Sequence, residues 1–469
     1  MSEMNRTLTF DAELLRRHDR PGPRYTSYPS APQFRTDFGA EQVRAEAART
    51  NEAATRRALS LYLHIPFCFS PCFYCGCNRL ITRDRSKGEH YARSLQREIG
   101  LVAPMFDDRR EVLQLHLGGG TPNFLSVRLL EQLMEKLHGA FRLSATAKRD
   151  FSIELDPRSV PEEYPATLAR LGFNRVSLGV QDFNPAVQNA VNRIQGIEQT
   201  LDLIDACRDG GVESVNLDLI YGLPYQTLEG FRSTLRTAVS ARPDRVAVYG
   251  YAHLPRVFKA QEHIDSAALP APELRLQLLA VAIEELSLSG YRYIGMDHFA
   301  LPEDELVRSQ EARTLQRNFM GYTTHADCEL IGLGVSAISH IGESFSQNFR
   351  DLRTWEESVA AGRLPIWRGL ALNADDRVRG AVIGKLMCHG FVDVGAIETH
   401  YGIQFGTYFS EALEQLKPHV KDGLLTLDTE GIAVTARGRL LVRSIAMCFD
   451  RYLDPQGVTA DAPQFSKVV

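Results

Sequence analysis

The chain has 469 residues, of which 44% are apolar and 24% are charged, a composition that is typical of a folded globular protein. Its 53 basic and 58 acidic residues give a formal net charge of −5, which provides no basic footprint for nucleic acid. The sequence has no run of about 18 apolar residues that could span a membrane, and it begins without an apolar signal-peptide region. We therefore expect a cytoplasmic protein that binds neither nucleic acid nor membrane.

The first part of the chain is rich in proline and aromatic residues. Pro21, Pro23, Pro29 and Pro32 alternate with tyrosines and a phenylalanine, a pattern that predicts an extended arm lying on another surface. A helical pattern follows near residues 40–50. We assign residues 1–54 to an N-terminal arm and helix.

From residue 59 onwards, a strand-like run, a turn and a segment of helical period alternate at the spacing of βα units. The predicted strands cover residues 59–66, 112–117, 151–155, 175–180, 214–220 and 245–251, with a seventh at 291–294. The predicted helices cover residues 88–102, 126–140, 161–171, 198–209, 227–240 and 272–289. Such a series favours a parallel sheet, either open or curled into a barrel.

The last hundred residues have a different pattern. Helices are predicted at 376–389, 394–401, 405–418 and 436–451, and two short strands are predicted within 424–435. This order resembles a winged-helix module. Because no basic recognition helix stands out, a lid or packing domain is favoured over nucleic-acid binding.

Most of the chemically informative residues come directly after, or at the end of, a predicted strand. The cysteine cluster follows the first strand, Gly118 to Gly120 the second, Gln181 the fourth and Ala252 the sixth. Glu154 belongs to the end of the third predicted strand and Asp218 to the end of the fifth. Active sites of parallel α/β proteins lie at the carboxyl ends of the strands. The layout therefore predicts one shared site.

Four of the eight cysteines stand together in Cys68-Phe-Ser-Pro-Cys72-Phe-Tyr-Cys75-Gly-Cys77. Three thiolates at C-x3-C-x2-C spacing suit three irons of a 4Fe–4S cube and leave one iron open to a substrate. Zinc is the first alternative, although no second ligand pair of the usual spacing follows. An ordinary ferredoxin loop is the second, with Cys77 as an awkwardly close fourth ligand.

The cysteine spacing and the segment Gly118-Gly-Gly-Thr-Pro122 are similar to the signatures of radical S-adenosylmethionine enzymes. From about residue 20 to Phe465-Ser466 the chain resembles one family in particular, the oxygen-independent coproporphyrinogen III oxidases. The segments that carry this resemblance are Gly22-Pro-Arg-Tyr-Thr-Ser-Tyr-Pro29, Tyr62-Leu-His-Ile-Pro-Phe-Cys68, Cys75-Gly-Cys77-Asn78, Leu115-His-Leu-Gly-Gly-Gly-Thr-Pro122, Gly179-Val-Gln-Asp-Phe183, Asp218-Leu-Ile-Tyr-Gly-Leu-Pro224, Tyr251-Ala-His-Leu-Pro255, Gly295-Met-Asp-His-Phe299, Gly321-Tyr-Thr-Thr324 and Gly334-Val-Ser-Ala-Ile-Ser339.

The resemblance implies an α/β fold with a partial (β/α)6-type, TIM-like barrel of the radical SAM type. The barrel would span residues 55–300, followed by a barrel extension and connecting segment at 301–369 and a mainly α-helical, winged-helix-like domain at 370–469. The implied reaction is the oxidative decarboxylation of two propionates of coproporphyrinogen III to vinyl groups, giving protoporphyrinogen IX in haem biosynthesis. A 5′-deoxyadenosyl radical from S-adenosylmethionine would take a hydrogen from each propionate β-carbon.

The resemblance also assigns residues to roles. One 4Fe–4S cluster would be held by Cys68, Cys72 and Cys75, with Cys77 nearby but not a ligand. The catalytic residues would be Tyr62, His64 and Glu154. A first S-adenosylmethionine would contact Tyr62, Gly119, Glu154 and Ile338. A second one in the same cavity would contact Tyr74, Gly120, Thr121, Gln181, Arg193, Asp218 and Ala252.

The expected partners are the porphyrinogen substrate and a flavodoxin- or ferredoxin-type electron donor, with the chain as a monomer. The substrate carries four carboxylates and the chain has a net negative charge, so the site needs local cations. The candidates are Arg24, His253 and His298.

The main alternative function is that of a haem-binding chaperone of the same superfamily. Such relatives carry Phe in place of the fourth motif cysteine and lack the arm segment, so Cys77 and residues 24–29 favour the oxidase. An iron–sulfur electron carrier would not need the glycine segment, and a zinc-stabilised structural protein would contain zinc without sulfide.

Overall fold

The computed structural model describes residues 8–325 and 327–453, which fall into two compact units. The barrel unit comprises Phe34–Glu285 and Asp327–Ala371. The terminal unit comprises the described parts of Met1–Gln33, Leu286–Ala326 and Leu372–Val469. The last residues of the family resemblance, Phe465 and Ser466, lie outside the described residues.

The α-helices and strands are numbered in chain order. The helices are α1 Ala12–His18, α2 Ala40–Glu52, α3 Arg85–Val102, α4 Val127–Ala140, α5 Tyr164–Arg170, α6 Pro185–Ala190, α7 Ile197–Asp209, α8 Leu228–Ser240, α9 Pro272–Leu288, α10 Glu305–Glu311, α11 Leu352–Ala360, α12 Ala374–His389, α13 Val394–Tyr401, α14 Phe405–Tyr408, α15 Ser410–Lys421 and α16 Val442–Met447. The strands are β1 Ala58–Ile65, β2 Phe67–Cys68, β3 Leu80–Ile81, β4 Glu111–Gly119, β5 Arg142–Leu143, β6 Asp150–Leu155, β7 Arg175–Gln181, β8 Ser214–Tyr221, β9 Arg245–Gly250, β10 Arg292–Gly295, β11 His298–Ala300, β12 Gln316–Asn318, β13 Gly321–Thr323, β14 Cys328–Leu333, β15 Ile338–Ile341, β16 Ser344–Asn348, β17 Ile366–Ala371, β18 Phe391–Asp393, β19 Leu425–Leu427 and β20 Gly431–Val434. None of these described helices is long and apolar enough to cross a membrane.

The barrel unit is built on a sheet with the strand order β9-β8-β7-β6-β4-β1-β14-β15-β16-β17. Neighbouring strands from β9 to β14 are parallel, and those from β14 to β17 are antiparallel. The six strands predicted between residues 59 and 251 are confirmed as β1, β4, β6, β7, β8 and β9. The fold is therefore the predicted partial, barrel-like parallel sheet, and its carboxyl ends lie along one edge. Strand β14, which the sequence pattern did not predict, extends the sheet beside β1.

Burial explains why these segments form strands and helices. Strand β1 is buried everywhere except at Ala58 and Tyr62, the continuous burial expected of a parallel strand covered on both faces. In α4 the buried residues recur at helical spacing, namely Leu130, Leu133, Met134 and Leu137. The hydroxyl of Ser126 accepts the Leu129 N–H and so caps this helix. Tyr62 is thus available to the site because it interrupts an otherwise buried strand.

The terminal unit confirms some of the predicted elements and corrects others. The predicted seventh strand is β10, which forms an antiparallel hairpin with β11, and β19 and β20 are the two predicted short strands. The single helix predicted at 405–418 is wrong, because Phe409 leaves the helical conformation at φ −106° and ψ 22° and separates α14 from α15. The Phe409 ring packs against Phe405 and Phe449, so tertiary packing overrides helical propensity. The helix predicted at 436–451 is reduced to a 3-10 turn at Arg439–Leu441 and α16.

The proline-rich arm contacts the last helix of the terminal unit. Arg443 on α16 donates to the carbonyl oxygens of Gly22 and Pro23. The Tyr25 hydroxyl donates to Asp450 at 3.0 Å. The extended arm thus satisfies its backbone acceptors through side chains from the other end of the chain, instead of through secondary structure of its own.

Candidate active site

The cysteine loop leaves the carboxyl end of β1 and is closed at its base by two short strands. Strand β2 pairs in parallel with β3, placing Cys68 opposite Ile81. The Thr82 N–H donates to the Cys68 carbonyl at 3.0 Å, and the Cys75 N–H donates to the Cys72 carbonyl at 3.2 Å. The loop therefore has a fixed backbone from which its thiols can project.

Each of the three motif thiols has its own hydrogen-bond donor. The Thr121 hydroxyl donates to Cys68 Sγ at 3.4 Å, and the Cys77 N–H donates to Cys75 Sγ at 3.4 Å. Cys72 Sγ receives two guanidinium N–H groups at 3.5 Å each, from Arg158 and Arg193.

These contacts fit an iron–sulfur cluster. Hydrogen bonding by the Cys77 side chain, helped by the Arg79 charge and the Cys77 N–H, lowers the pKa of the Cys75 thiol to about 6 against the opposing effect of burial. A metal ligand must be a thiolate. Over residues 8–325 and 327–453, no group of three His, Cys, Asp or Glu side chains converges to hold a metal ion. A cube-shaped cluster joins its thiolates to separate irons, so its ligands need not meet at one point.

Tyr62 and His64 lie on the same face of β1 and share a hydrogen bond. His64 Nε2 lies 2.9 Å from the Asn78 carbonyl oxygen, which can only accept, so Nε2 carries the proton. His64 Nδ1 therefore accepts from the Tyr62 hydroxyl at 3.0 Å. Burial lowers the pKa of His64 and outweighs the Asn78 carbonyl and Glu154, which raise it. Burial, followed by the Glu154 charge, holds the pKa of Tyr62 well above its usual value. The pair is thus a neutral imidazole and a neutral phenol.

Gly119 permits this arrangement because no side chain fits at its position. A Cβ there would lie 2.5 Å from His64 Cε1, and the backbone φ of +112° is one that L residues rarely adopt. A Cβ at Gly120 would meet the backbone of Pro66 at 2.7 Å. Both glycines therefore let the turn after β4 pack directly on the end of β1.

Glu154 at the end of β6 joins the same network from the neighbouring strand. Its Oε1 lies 3.2 Å from His116 Nε2, and its Oε2 accepts the Gly119 N–H at 3.1 Å. His116 Nδ1 lies 2.7 Å from the Ser152 hydroxyl. Burial would raise the pKa of Glu154, but the contacts with His116 and Gly119 outweigh it and lower the pKa. The result is an ionised carboxylate whose side chain is still 43% exposed.

Asp218 on β8 provides a second carboxyl group. The Ser177 hydroxyl donates to it at 3.2 Å and the Asn216 amide at 2.9 Å. Burial, followed by the charge of Glu154, raises the pKa of Asp218 to about 6, against these hydrogen bonds. The negative charge of Glu154 thus adds to burial in favouring the protonated form of Asp218.

Arg193 reaches the site from the loop between α6 and α7. It donates to the Gly179 carbonyl. Two of its N–H groups also donate to the Asp156 carboxylate, each at 3.4 Å. Its Nε is buried and has no hydrogen-bond partner among the described residues. Gln181 lies beside it, with a left-handed φ of +70° at the end of β7.

The remaining assigned residues are positioned mainly by backbone contacts. The Gln261 amide donates to the carbonyls of Tyr74 and Ala252, at 3.0 and 3.1 Å, which links the cysteine loop to the end of β9. Ile338 begins β15, and its carbonyl would lie 2.4 Å from a Cβ at Gly332. The structure thus joins Tyr62, His64, Gly119 and Glu154 directly, whereas Ile338 makes no described hydrogen bond to that group.

The three candidate cations for substrate carboxylates have different surroundings. In the barrel unit, His253 lies 2.9 Å from the Tyr251 hydroxyl and 3.0 Å from the Ser266 hydroxyl. In the terminal unit, Arg24 donates to Asp297, and His298 packs edge-on to Tyr322 at 5.5 Å. Their assignment to the substrate stays a prediction.

The sequence reading gave no role to His116, Asp156 and Arg158. His116 stands two residues before the glycine turn on the same strand, which is the available signal that it faces the site. Asp156 begins a short turn and is followed two residues later by Arg158, a local pair whose link to the cysteines depends on the fold.

The fold is that of a radical SAM enzyme. Its features are the parallel barrel, the three thiols in the loop after the first strand, and the glycine turn after the second. Residues 62–238 match the model of the Radical SAM superfamily, and residues 372–441 match the HemN C-terminal domain. The superfamily implies a 4Fe–4S cluster and S-adenosylmethionine as cofactors.

Comparisons over the whole chain place the protein within one family of radical SAM enzymes. The chain is 49% identical over 464 residues to the oxygen-independent coproporphyrinogen III oxidase of Pseudomonas aeruginosa, covering 99% of each chain. It is 46% identical over 462 residues to that of Escherichia coli, covering 98% of this chain and 99% of the relative. The solved structure of coproporphyrinogen III oxidase (HemN) from Escherichia coli, described as a Radical SAM enzyme, matches with a TM-score of 0.90 and 45% identity, over 95% of this chain and 100% of that one. The chain belongs to the family of oxygen-independent coproporphyrinogen III oxidases, and the haem-chaperone alternative is not favoured.

Proposed function

We propose that this protein oxidatively decarboxylates two propionate side chains of coproporphyrinogen III to vinyl groups without oxygen, giving protoporphyrinogen IX in haem biosynthesis. The observation that carries this proposal is the joining of the cysteine loop, the glycine turn and Glu154 at one edge of the barrel. This site lies in a chain that matches the named oxidases almost end to end.

One 4Fe–4S cluster is held by Cys68, Cys72 and Cys75, and Cys77 supports it through its N–H to Cys75 Sγ. With S-adenosylmethionine bound, the cluster supplies the one-electron chemistry that begins the oxidation of a propionate. His64 links β1 to the cysteine loop, because its Nε2–H holds the Asn78 carbonyl just beyond Cys77. Tyr62 fixes the orientation of that imidazole by donating to its other nitrogen.

Two S-adenosylmethionine molecules bind at this edge of the barrel. The first uses Glu154 as an acceptor, since this carboxylate is ionised and still partly exposed, together with Tyr62, Gly119 and Ile338. The second uses Asp218 and Arg193. The buried, unpartnered Nε of Arg193 supports a contact with an anionic group. The other contacts of the second molecule are Tyr74, Gly120, Thr121, Gln181 and Ala252.

Binding stoichiometry tests the two-molecule arrangement. Equilibrium dialysis of the reconstituted protein with S-adenosylmethionine should give two bound molecules per chain. Asp218→Ala should reduce this to one, because it removes an acceptor from the second position and leaves Glu154 unchanged. A stoichiometry of one in the unaltered protein contradicts the second position.

The expected partners are an electron donor of the flavodoxin or ferredoxin type and the porphyrinogen. The protein acts as a cytoplasmic monomer. The activity is tested by anaerobic incubation of the reconstituted chain with S-adenosylmethionine, a reductant and coproporphyrinogen III, followed by separation of the porphyrins. Protoporphyrin after oxidation of the product is the expected result. Unchanged coproporphyrin, with the cluster intact and S-adenosylmethionine bound, contradicts the proposal.

The ligand set is tested with single serine variants. Cys68→Ser, Cys72→Ser and Cys75→Ser should each lose the brown chromophore and about one cluster per chain, since each removes one thiolate from an iron. Cys77→Ser is the matched control on the same loop and should keep its iron and sulfide. Full iron retention in Cys72→Ser contradicts the assignment.

A further inference from the structure

The three motif thiols differ in the charge that surrounds them. Cys68 Sγ accepts from the neutral hydroxyl of Thr121, and Cys75 Sγ accepts from a backbone N–H. Cys72 Sγ lies 3.5 Å from two guanidinium nitrogens, Nη2 of Arg158 and Nη1 of Arg193. Among the described contacts, Cys72 Sγ is thus the motif sulfur that guanidinium groups touch directly, whereas the Arg79 charge acts on Cys68 and Cys75 without a hydrogen bond to either sulfur.

Asp156 holds the two guanidinium groups in place. Arg158 forms a bidentate pair with it, at 2.9 Å from Nε to Oδ1 and 2.6 Å from Nη2 to Oδ2. Arg193 meets the same carboxylate with two N–H groups at 3.4 Å. The Asp156 N–H is itself fixed by the Asn123 side chain at 2.9 Å. The group is preorganised, and its formal charge of two guanidinium groups and one carboxylate is positive.

Burial of Asp156, Arg158 and Arg193 strengthens the electrostatic effect of their net positive charge. Arg193 is 6% exposed, and the side chains of Arg158 and Asp156 are 17% and 14% exposed. Water therefore screens their interaction with Cys72 Sγ only weakly. Hydrogen bonds to cluster sulfurs, the net charge nearby and solvent exposure are the factors by which proteins adjust the potential of iron–sulfur clusters.

We propose that Arg158, oriented by Asp156, is a positioning residue that raises the reduction potential of the cluster through its N–H contact with Cys72 Sγ. The inference rests on the proposed function, since it requires the cluster at these cysteines. Reduction adds negative charge to the cluster, and a cationic donor at a ligand sulfur stabilises the reduced state more than the oxidised one. Arg193 contributes in the same direction, but its proposed contact with S-adenosylmethionine makes Arg158 the residue that reports on the potential alone.

Arg79 provides a matched control. Its Nη2 donates to the carbonyl oxygen of Cys72 at 2.9 Å, so it places the same unit charge at the same cysteine without contacting the sulfur. Comparing Arg79→Gln with Arg158→Gln separates the contact with sulfur from charge in general. Arg158→Lys keeps the charge but loses the planar fork that fits Asp156.

The experiment is an anaerobic redox titration of the reconstituted full-length protein without S-adenosylmethionine, following the EPR signal of the reduced cluster. In Arg158→Gln the equilibrium constant for reduction should fall about tenfold, which is about 59 mV for a one-electron couple. Arg79→Gln should shift it less, and Arg158→Lys should fall between wild type and Arg158→Gln. A potential for Arg158→Gln equal to that of wild type, or equal shifts in Arg79→Gln and Arg158→Gln, overturns the inference.

Iron and sulfide are measured in every sample. If Arg158→Gln fails to assemble its cluster, the titration of Arg158→Lys decides the matter, and a wild-type potential there overturns the inference. A cluster that assembles with unshifted potential refutes the role of Arg158 and leaves the proposed function standing. Failure of the wild-type chain to assemble any cluster refutes the proposed function itself.

Discussion

A buried carboxyl group outside the active site makes the stability of the protein dependent on pH. Glu98 on α3 is 1% exposed. It accepts the Gly334 N–H at 2.7 Å and the Asn348 side-chain amide at 2.6 Å, and so ties α3 to the turn between β14 and β15. Burial raises the pKa of Glu98 from its usual 4.5 to about 7, although the hydrogen bonds from Gly334 and Asn348 lower it.

The sign of this pH dependence follows from proton binding in the folded and unfolded states. Because its pKa is higher in the folded state, folded protein holds this proton more tightly than unfolded protein between pH 4.5 and about 7. The contribution of Glu98 to stability is therefore fully present below the unfolded pKa and is lost as the pH rises through the folded pKa. The shift of about 2.5 pKa units corresponds to about 3 kcal/mol, and most of it, about 2.5 kcal/mol, should be lost between about pH 5 and about pH 8.

Glu98→Gln keeps the shape of the side chain and removes its titration. We expect the free energy of unfolding of wild type, relative to this variant, to fall by about 2.5 kcal/mol from about pH 5 to about pH 8. Urea unfolding followed by circular dichroism over this range measures the difference. Glu89, an exposed glutamate on the same helix, supplies the control, because Glu89→Gln should leave the pH dependence of wild type unchanged. Parallel pH profiles for wild type and Glu98→Gln would refute the reasoning.

Three further predictions concern the active site and the substrate. Gly119→Ala forces a methyl group to 2.5 Å from an imidazole carbon at a φ of +112°. The substitution should lower the free energy of unfolding by roughly 1–3 kcal/mol and abolish S-adenosylmethionine binding. Wild-type affinity for S-adenosylmethionine in calorimetry would contradict this. Arg24→Ala, His253→Ala and His298→Ala should each weaken coproporphyrinogen binding roughly 10- to 100-fold while sparing S-adenosylmethionine, since a charge-assisted contact is worth about 1.5–3 kcal/mol; if all three bind the porphyrinogen as wild type does, the propionate sites lie elsewhere. Deleting residues 1–34 should keep the cluster and S-adenosylmethionine binding but lower turnover, and unchanged turnover would exclude a role for the arm.

Local sequence patterns are enough to predict the parallel strands and the residues at their ends. In strand β1 a leucine or isoleucine stands at every second position from Leu59 to Ile65, and the buried residues of α4 recur at helical spacing, so both signals are local. The cysteine spacing predicted a cluster because three thiolates within eight residues must share one loop. Residues such as Glu154 and Gln181 could be placed at one edge because all parallel strands end on the same side.

The contacts that those residues make depend on long-range packing of the chain. Strand β14 joins the sheet beside β1 through pairing between distant parts of the chain, and no local pattern specifies the partner of a strand. Asp156 and Arg158 form a local pair, but the contact of Arg158 with Cys72 Sγ joins two residues that are far apart in the sequence. Likewise Phe409 interrupts a helical pattern because its ring is buried against Phe449. In each case the deciding energy comes from burial or hydrogen bonding between residues far apart in sequence, which periodicity and spacing do not record.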